Sequence, residues 1–446
     1  MTTYDLIILN AEIVTFSEIQ NQMIQERTDI AVLNGKIAAL GSMTNQAAKK
    51  TINATYLTVL PGVIDSQVHF REPGLTHKED IESGSRAAIL GGVTTFFEMP
   101  NTNPPTTTKE LFEDKLKIAD EKSSANYAFF IGGTSENANQ LATLENLPHC
   151  SGIKIFLGSS FGNLLIDQDE LFEKIIKNGK RRLVIHAEDE ARLKERKQIA
   201  IDAGNANVHH LWRDEESALI ATKKSVHFAE KHNRLIHILH ISSSEEMAFL
   251  REHKRCATVE ILPQYLTLSA PECYERLGSL WQQNPPIRDK RHMEFLWKAL
   301  LDGTVDVIGS DHAPHTLEEK AKPYPNSPSG VPGVQTLVPL MLDQVHQKKL
   351  SLKKFVELVT ENPRKVFNLK NKGRIQLGYD ADFTIVDLKR TQAVEKKWLA
   401  SKTGWSPFEE MSFTGWPVMT LLKGEVVVEE KTLLKPRAGS ACDFNV

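Results

Sequence analysis

In the segment IDSQVHFR, the residues Asp65, Gln67, His69 and Arg71 stand two apart. On an extended chain all four side chains would face one side. One isolated histidine there is readily explained as a hydrogen-bonded strand end. The motif recurs, however, wherever later apolar runs finish: Lys154 in GIKIF, His186 in LVIHAE, His240 in ILHISSS and Asp311 in GSDHAPH. Burying so many ionisable groups unpaired would cost several kcal/mol apiece, so the set points to a shared ligand. Imidazoles and carboxylates suit Zn²⁺ or a similar divalent ion, and a catalytic site keeps one position open for water. Lys154 is the odd member. Its ammonium cannot ligate and would suit a phosphate contact or a buried salt bridge, but a lysine carbamylated by CO2 is an anion with two oxygens. Such a group can bridge two metal ions ~3.5–4 Å apart.

Something must bring these distant residues together. Between residues 60 and 370, short apolar runs alternate with helical patterns, the rhythm of βα units. There are eight runs: GVIDSQVHF, GVTTFFEMP, ANYAFFIGG, GIKIFLGSS, RLVIHAE, LIHILHIS, ATVEILP and VDVIGSDHA. Between them, pairs such as Leu171 with Ile175, Phe172 with Ile176, and Phe295 with Ala299 have helical i,i+4 spacing. The expectation is an α/β fold of the TIM type, a (β/α)8 barrel, with a doubly wound sheet as the alternative. Pro323, Pro325, Pro328, Gly330, Pro332 and Gly333 mark a long irregular loop after the eighth run, on the face where such barrels carry their sites. Both ends of the chain instead read as β-sheet, with turn signals at Asn34-Gly35 and Lys423-Gly424. The expected organisation is a composite β domain from residues 1–58 and 372–446 around a barrel of residues 59–371.

Composition narrows the partners. The 446 residues are 41% hydrophobic and 25% charged, which excludes a disordered or collagen-like chain, and 54 basic against 57 acidic residues leave no bulk field for nucleic acid or an anionic membrane. A small-molecule substrate is the default partner. The four cysteines form no CxxC pair, no apolar run approaches a membrane span, and the N-terminus shows no export signal, so a cytoplasmic protein is expected.

The motifs FREPGLTHK, EMPNTNPPT, NPPIR and SDHAPH resemble those of the dihydroorotases of the cyclic amidohydrolase superfamily, and the resemblance spans essentially the whole chain. It implies a metal-dependent (β/α)8 barrel with one or two Zn²⁺ per chain. His69, Lys154, His186, His240 and Asp311 fall on the metal-ligand positions, with Lys154 N6-carboxylated as in those relatives that use a lysine there. Arg71, Asn101, Asn284 and His315 fall on positions that hold substrate, and Pro332 and Gly333 on the loop that closes on its ring. The implied reaction is the reversible cyclisation of N-carbamoyl-L-aspartate to dihydroorotate in pyrimidine synthesis, with Asp311 as the catalytic acid and base. One departure stands out: where the family has His-x-His, this chain has Gln67-Val68-His69, and a neutral amide is a weaker ligand than imidazole. Other readings stay open. Allantoinase and dihydropyrimidinase open similar rings on the same scaffold, and an inactive dihydroorotase-like subunit could scaffold aspartate transcarbamoylase. Association with that enzyme, or a homodimer, is likewise left open.

Overall fold

The computed structural model describes residues 3–158 and 162–445. The chain opens with five strands, β1 (Tyr4–Ser17), β2 (Gln22–Leu33), β3 (Lys36–Leu40), β4 (Ala48–Asn53) and β5 (Thr58–Pro61). Asn34 and Gly35, at φ 52° and 74°, turn β2 into β3 as the Asn-Gly signal predicts. Four strands close the chain: β14 (Phe383–Ala393), β15 (Ser412–Leu422), β16 (Glu425–Glu429) and β17 (Thr432–Leu433), with Lys423-Gly424 turning β15 into β16. These nine strands form one sheet in which β5 lies parallel to β1 and antiparallel to β14, stitching the N-terminal strands to the C-terminal ones. Leu6, Ile8 and Ile13 of β1 point into the small core that this sheet shares with Phe383, Ile385 and Leu421.

Each of the eight internal runs overlaps one strand of a second, parallel sheet. In chain order these are β6 (Val63–Val68), β7 (Val93–Glu98), β8 (Asn126–Gly132), β9 (Cys150–Phe156), β10 (Leu183–His186), β11 (Ile236–Ile238), β12 (Ala257–Ile261) and β13 (Val307–Ile308). Ser159 and Ser160, the end of the GIKIFLGSS run, lie outside the described residues. Helices cover the strands, and several start on side-chain caps: Asp80 accepts from the backbone N–H of Ser83, Asp214 from Ser217 and Ser243 from Glu246. The helix Asp169–Lys177 buries Phe172, Ile175 and Ile176, and Lys290–Asp302 buries Leu296, Ala299 and Leu300.

The ring closes between β13 and β6. Val68 bridges His312, and the His69 N–H donates to the His312 carbonyl at 2.7 Å. A carboxylate substitutes for the rest of the ladder, since Asp65 Oδ1 accepts the backbone N–H groups of Ser310 and Gln67 at 3.1 and 3.2 Å. That exchange lets β13 stop after two residues and frees the chain to present Asp311. Among the described residues, no helix is long and apolar enough to cross a membrane. All four cysteines are buried free thiols.

Candidate active site

Where the barrel strands end, the chain encloses a cavity of about 200 Å³ lined by Gln67, His69, Arg71, Asn101, Lys154, His186, His240, Asn284, Asp311 and His315, with Phe156 and Pro328–Gly330 completing the wall. His186 is the last residue of β10 and Lys154 lies within β9, whereas His69, His240 and Asp311 follow the ends of β6, β11 and β13. Three of these lining residues have left-handed backbones: Arg71 at φ 65°, His240 at 39° and Asp311 at 47°. Non-glycine residues held there cost of order 1–3 kcal/mol each and persist where the surroundings impose them, typically at functional sites. Nothing in the residue types announces this strain.

On the β9–β11 flank, His186 Nδ1 and His240 Nε2 face each other at 2.9 Å. His186 Nε2 lies 2.9 Å from Glu188 Oε2, and Glu188 is clasped by Arg213 through its Nε, at 3.0 Å, and its Nη2. Burial alone would raise the Glu188 pKa, but the Arg213 guanidinium and the His186 ring outweigh it and hold the carboxylate at about 2. An ionised Glu188 can only accept, so His186 carries its proton on Nε2 and offers a bare Nδ1 to the cavity. Burial lowers the pKa of both rings, that of His240 well below its ordinary value with the neighbouring His186 and Lys154 adding to it. Lys154 is enclosed beside Phe156, with Nζ 4.5 Å from the ring centroid. Burial brings its ammonium down to about 7 against the opposing pull of Asp311 and Glu260, which makes the neutral, nucleophilic amine available near neutrality.

The opposite flank uses amides. Asn101 Oδ1 lies 2.6 Å from His69 Nδ1 and so takes that ring's proton, leaving Nε2 bare and 3.2 Å from Asp311 Oδ1. Two acceptors at that distance call for a cation between them. Gln67 Nε2 donates to the same Asp311 oxygen at 3.0 Å, while Gln67 Oε1 is buried with no hydrogen-bond partner among the described residues. Among the described residues, no three His, Cys, Asp or Glu side chains converge as a ready metal site. The two facing pairs, with Lys154 in the same cavity, are instead two incomplete donor sets, each fit to take a divalent ion if a further anionic ligand is supplied.

Arg71 is 6% exposed and pairs with no carboxylate among the described residues. Its Nε donates to the Pro314 carbonyl at 3.3 Å, and its Nη2 lies 3.3 Å from His315 Nε2. Burial pulls the guanidinium pKa to about 10, so it stays charged. His315 is kept neutral by burial and by the cations Arg71 and Lys78, and lies 3.1 Å from the Ser329 carbonyl. Asn284 Oδ1 is occupied by His209 Nε2 at 3.0 Å, which leaves its amide N–H groups for a ligand.

Pro332 and Gly333 are placed differently from the expectation. They are absent from the cavity lining, and Ala313 N–H bonds the Val331 carbonyl while Gly333 N–H donates to His312 Nδ1 at 3.1 Å, tying that stretch into the barrel closure. Pro328, Ser329 and Gly330 line the cavity instead. They are held by Lys320, a buried ammonium that donates to the carbonyls of Pro328, Gly330 and Gln282 at 2.9, 3.1 and 3.1 Å. Sequence reasoning missed Lys320, His209, Arg213 and Glu188. Only Glu188 left a usable signal, two residues after His186 and so on the same side of an extended chain.

A family model described as "Amidohydrolase family" matches residues 58–427. A protein of Methanosarcina acetivorans named dihydroorotase is 36% identical over 92% of this chain and 91% of its own length, and one of Bacillus pumilus with the same name is 34% identical over 91% and 95%. An L-hydantoinase (dihydropyrimidinase) structure from Arthrobacter aurescens superposes with a TM-score of 0.93 at 28% identity, covering 99% of this chain and all of the other. An eight-stranded parallel barrel with imidazole and carboxylate donors at its strand ends, matched along most of its length by that model, belongs to the amidohydrolase family.

Proposed function

We propose that this chain is a dihydroorotase, an enzyme that interconverts N-carbamoyl-L-aspartate and dihydroorotate with release or uptake of water. The observation that carries the substrate is Arg71, a buried cation on the cavity wall without a carboxylate of its own among the described residues. Dihydroorotate is a cyclic amide bearing one carboxylate, which a guanidinium holds bidentately. The relatives named dihydroorotase support the same reading.

His186 and His240 on one flank, and His69, Asp311 and Gln67 on the other, would hold one or two Zn²⁺, with Lys154 as an N6-carboxylated anion common to both. A bound divalent ion acidifies water and polarises the ring carbonyl. Arg71 fixes the substrate carboxylate, while the Asn284 amide and the His315 edge position the ring. Water adds to the ring amide, its C–N bond breaks, and Asp311 passes the proton from water to the departing nitrogen; cyclisation runs the same path backwards. All of these groups lie in the proposed catalytic barrel of residues 59–371, outside the composite β domain of residues 1–58 and 372–446.

The likeness to a hydantoinase favours one competing reading, hydrolysis of a ring without a carboxylate. Steady-state assays on dihydroorotate and dihydrouracil separate the two. The parent protein should prefer dihydroorotate, and Arg71→Ala should lose about 2–5 kcal/mol of kcat/KM on that substrate with little change on dihydrouracil. Equal losses on both rings would make Arg71 a structural residue and return the carboxylate-free substrates to first place.

A further inference from the structure

The strands that carry Lys154, His186 and His240 at one end also build a second cavity at the other. It measures about 630 Å³, within the ~300–1,000 Å³ typical of small-molecule sites. Ser151 at the start of β9, Arg182 just before β10 and Leu235 just before β11 all line it. From Arg182 to His186 the chain rises about 13 Å, so this cavity is at the opposite mouth of the barrel from the candidate active site.

Its electrostatics are one-sided. Lys180, Arg181 and Arg182 follow one another on the wall, and none pairs with a carboxylate among the described residues. Arg181 donates to the carbonyls of Glu145 and Cys150, both at 2.6 Å, and Arg182 to those of Val366 and Ile236 at 3.2 and 2.9 Å. Carbonyl dipoles fix these guanidinium groups in place without cancelling their charge. The lining carboxylate, Glu145, is already committed to the Lys180 and Arg181 N–H groups at 2.5 and 3.1 Å and to Arg234 at 2.6 Å. Lys177 and Lys365 add to the excess, since Glu173 is shared with Lys231 and His232, and Glu361 with Arg364 and Arg374.

Two polar groups are left over. The Ser151 hydroxyl, on a residue 3% exposed, and Arg181 Nη2 are both buried without a hydrogen-bond partner among the described residues. Buried donors in native proteins are nearly always satisfied, so a pair of idle ones beside three unpaired cations implies an anionic acceptor. Leu235, Val366 and Phe367 form an apolar wall of the same cavity. A bare inorganic anion would leave that wall unused, whereas a flat ring would cover it.

We propose that this cavity binds a phosphorylated small molecule bearing a planar ring, the chemistry of a nucleoside monophosphate, with the phosphate against Lys180, Arg181 and Ser151 and the ring against Phe367. The site is independent of the reaction assigned to the other mouth. Isothermal titration of the full chain with UMP, AMP, uridine and pyrophosphate tests it. At least one nucleotide should bind once per chain, more weakly as salt is raised, and uridine should not bind. Lys180 is exposed and its ammonium has no ion-pair partner among the described residues, so Lys180→Glu should keep the parent melting temperature and dihydroorotate turnover yet weaken the nucleotide at least about tenfold. Arg71→Ala should leave nucleotide binding unchanged, because Arg71 lines the other cavity. Absence of nucleotide binding, equal binding of uridine, or an unaltered affinity in Lys180→Glu would overturn the proposal. Binding of pyrophosphate alone would overturn the ring-bearing ligand.

Discussion

On the β9–β11 flank of the cavity, His186 and His240 face each other at 2.9 Å, and the proton of His186 is fixed by a carboxylate that Arg213 clasps. Across the cavity, His69 faces Asp311 at 3.2 Å, and the supports are two neutral amides, Asn101 and Gln67. Both flanks present two facing donor atoms to the cavity, yet one is braced by a buried ion pair and the other by dipoles. A charge-assisted support holds a ring more firmly than an amide does and makes its free nitrogen a better donor. The flanks should therefore differ in how tightly they hold a metal, and Lys154 is the group that serves both.

Removing Lys154 should erase the difference by disabling both flanks together. Lys154→Ala is expected to lose bound metal altogether and at least about 4 kcal/mol of transition-state stabilisation, roughly a thousandfold in rate. Elemental analysis and turnover check this, with a short carboxylic acid expected to restore part of both. Full activity without any additive would rule out the carboxylated lysine. The same lysine gives a pH test. Only the neutral amine adds CO2, and burial lowers the ammonium pKa to about 7. Recovery of metal binding by CO2-depleted protein should rise about tenfold per pH unit below 7 and level off above it. A plateau delayed to the ordinary lysine range would mean that Nζ is more solvated than its surroundings indicate.

Glu188→Gln should weaken one flank alone. The amide can still meet His186 but no longer fixes its tautomer or answers Arg213, and loss of such a support typically costs about 10–100-fold in metal affinity. Titration with graded chelators should show that loss for the ion held by His186 and His240, with the other unchanged. A loss shared by both ions would mean that the flanks act as one site.

The framework of the site was legible in the chain and its bracing was not, for reasons visible in particular residues. Parallel strands buried on both faces are continuous apolar runs such as NYAFFIG and CSGIKIF, and the ionisable residues in or just after five of the eight, Lys154 among them, stood out against that background. Glu188 and Arg213 are 25 residues apart, and Asn284 and His209 are 75 apart, so their pairing exists only once the barrel has brought its loops together. Pro332 and Gly333, expected on the loop that closes on the ring, do not line the cavity in this structure, and a Pro/Gly-rich stretch announces a loop without saying which part faces inward. That choice is made by Lys320 and His312, whose partners no local pattern reveals. The left-handed backbone at Arg71, His240 and Asp311 is equally silent, since none of the three is a glycine.

The smallest expected effect belongs to Gln67, the residue that sets this chain apart from the His-x-His pattern. Its Nε2 is spent on Asp311, the carboxylate that faces the bare His69 Nε2, and its Oε1 is buried without a partner among the described residues. A neutral amide oxygen is a poorer ligand for Zn²⁺ than an imidazole nitrogen, so this flank should release its ion first under mild chelation. Gln67→His supplies that nitrogen while leaving His69, Lys154 and Asp311 in place. The variant should retain two ions per chain at a chelator concentration that leaves the parent with about one, and turnover of dihydroorotate should change by less than about threefold, because Asp311 and Arg71 still do the proton transfer and the substrate binding. Metal content measured against chelator concentration decides it. If the variant loses its second ion as readily as the parent, the weakness of that flank lies elsewhere. The asymmetry would then belong to the Glu188–Arg213 brace on the other side, and Glu188→Gln, by loosening that brace, should make the two ions equally easy to remove.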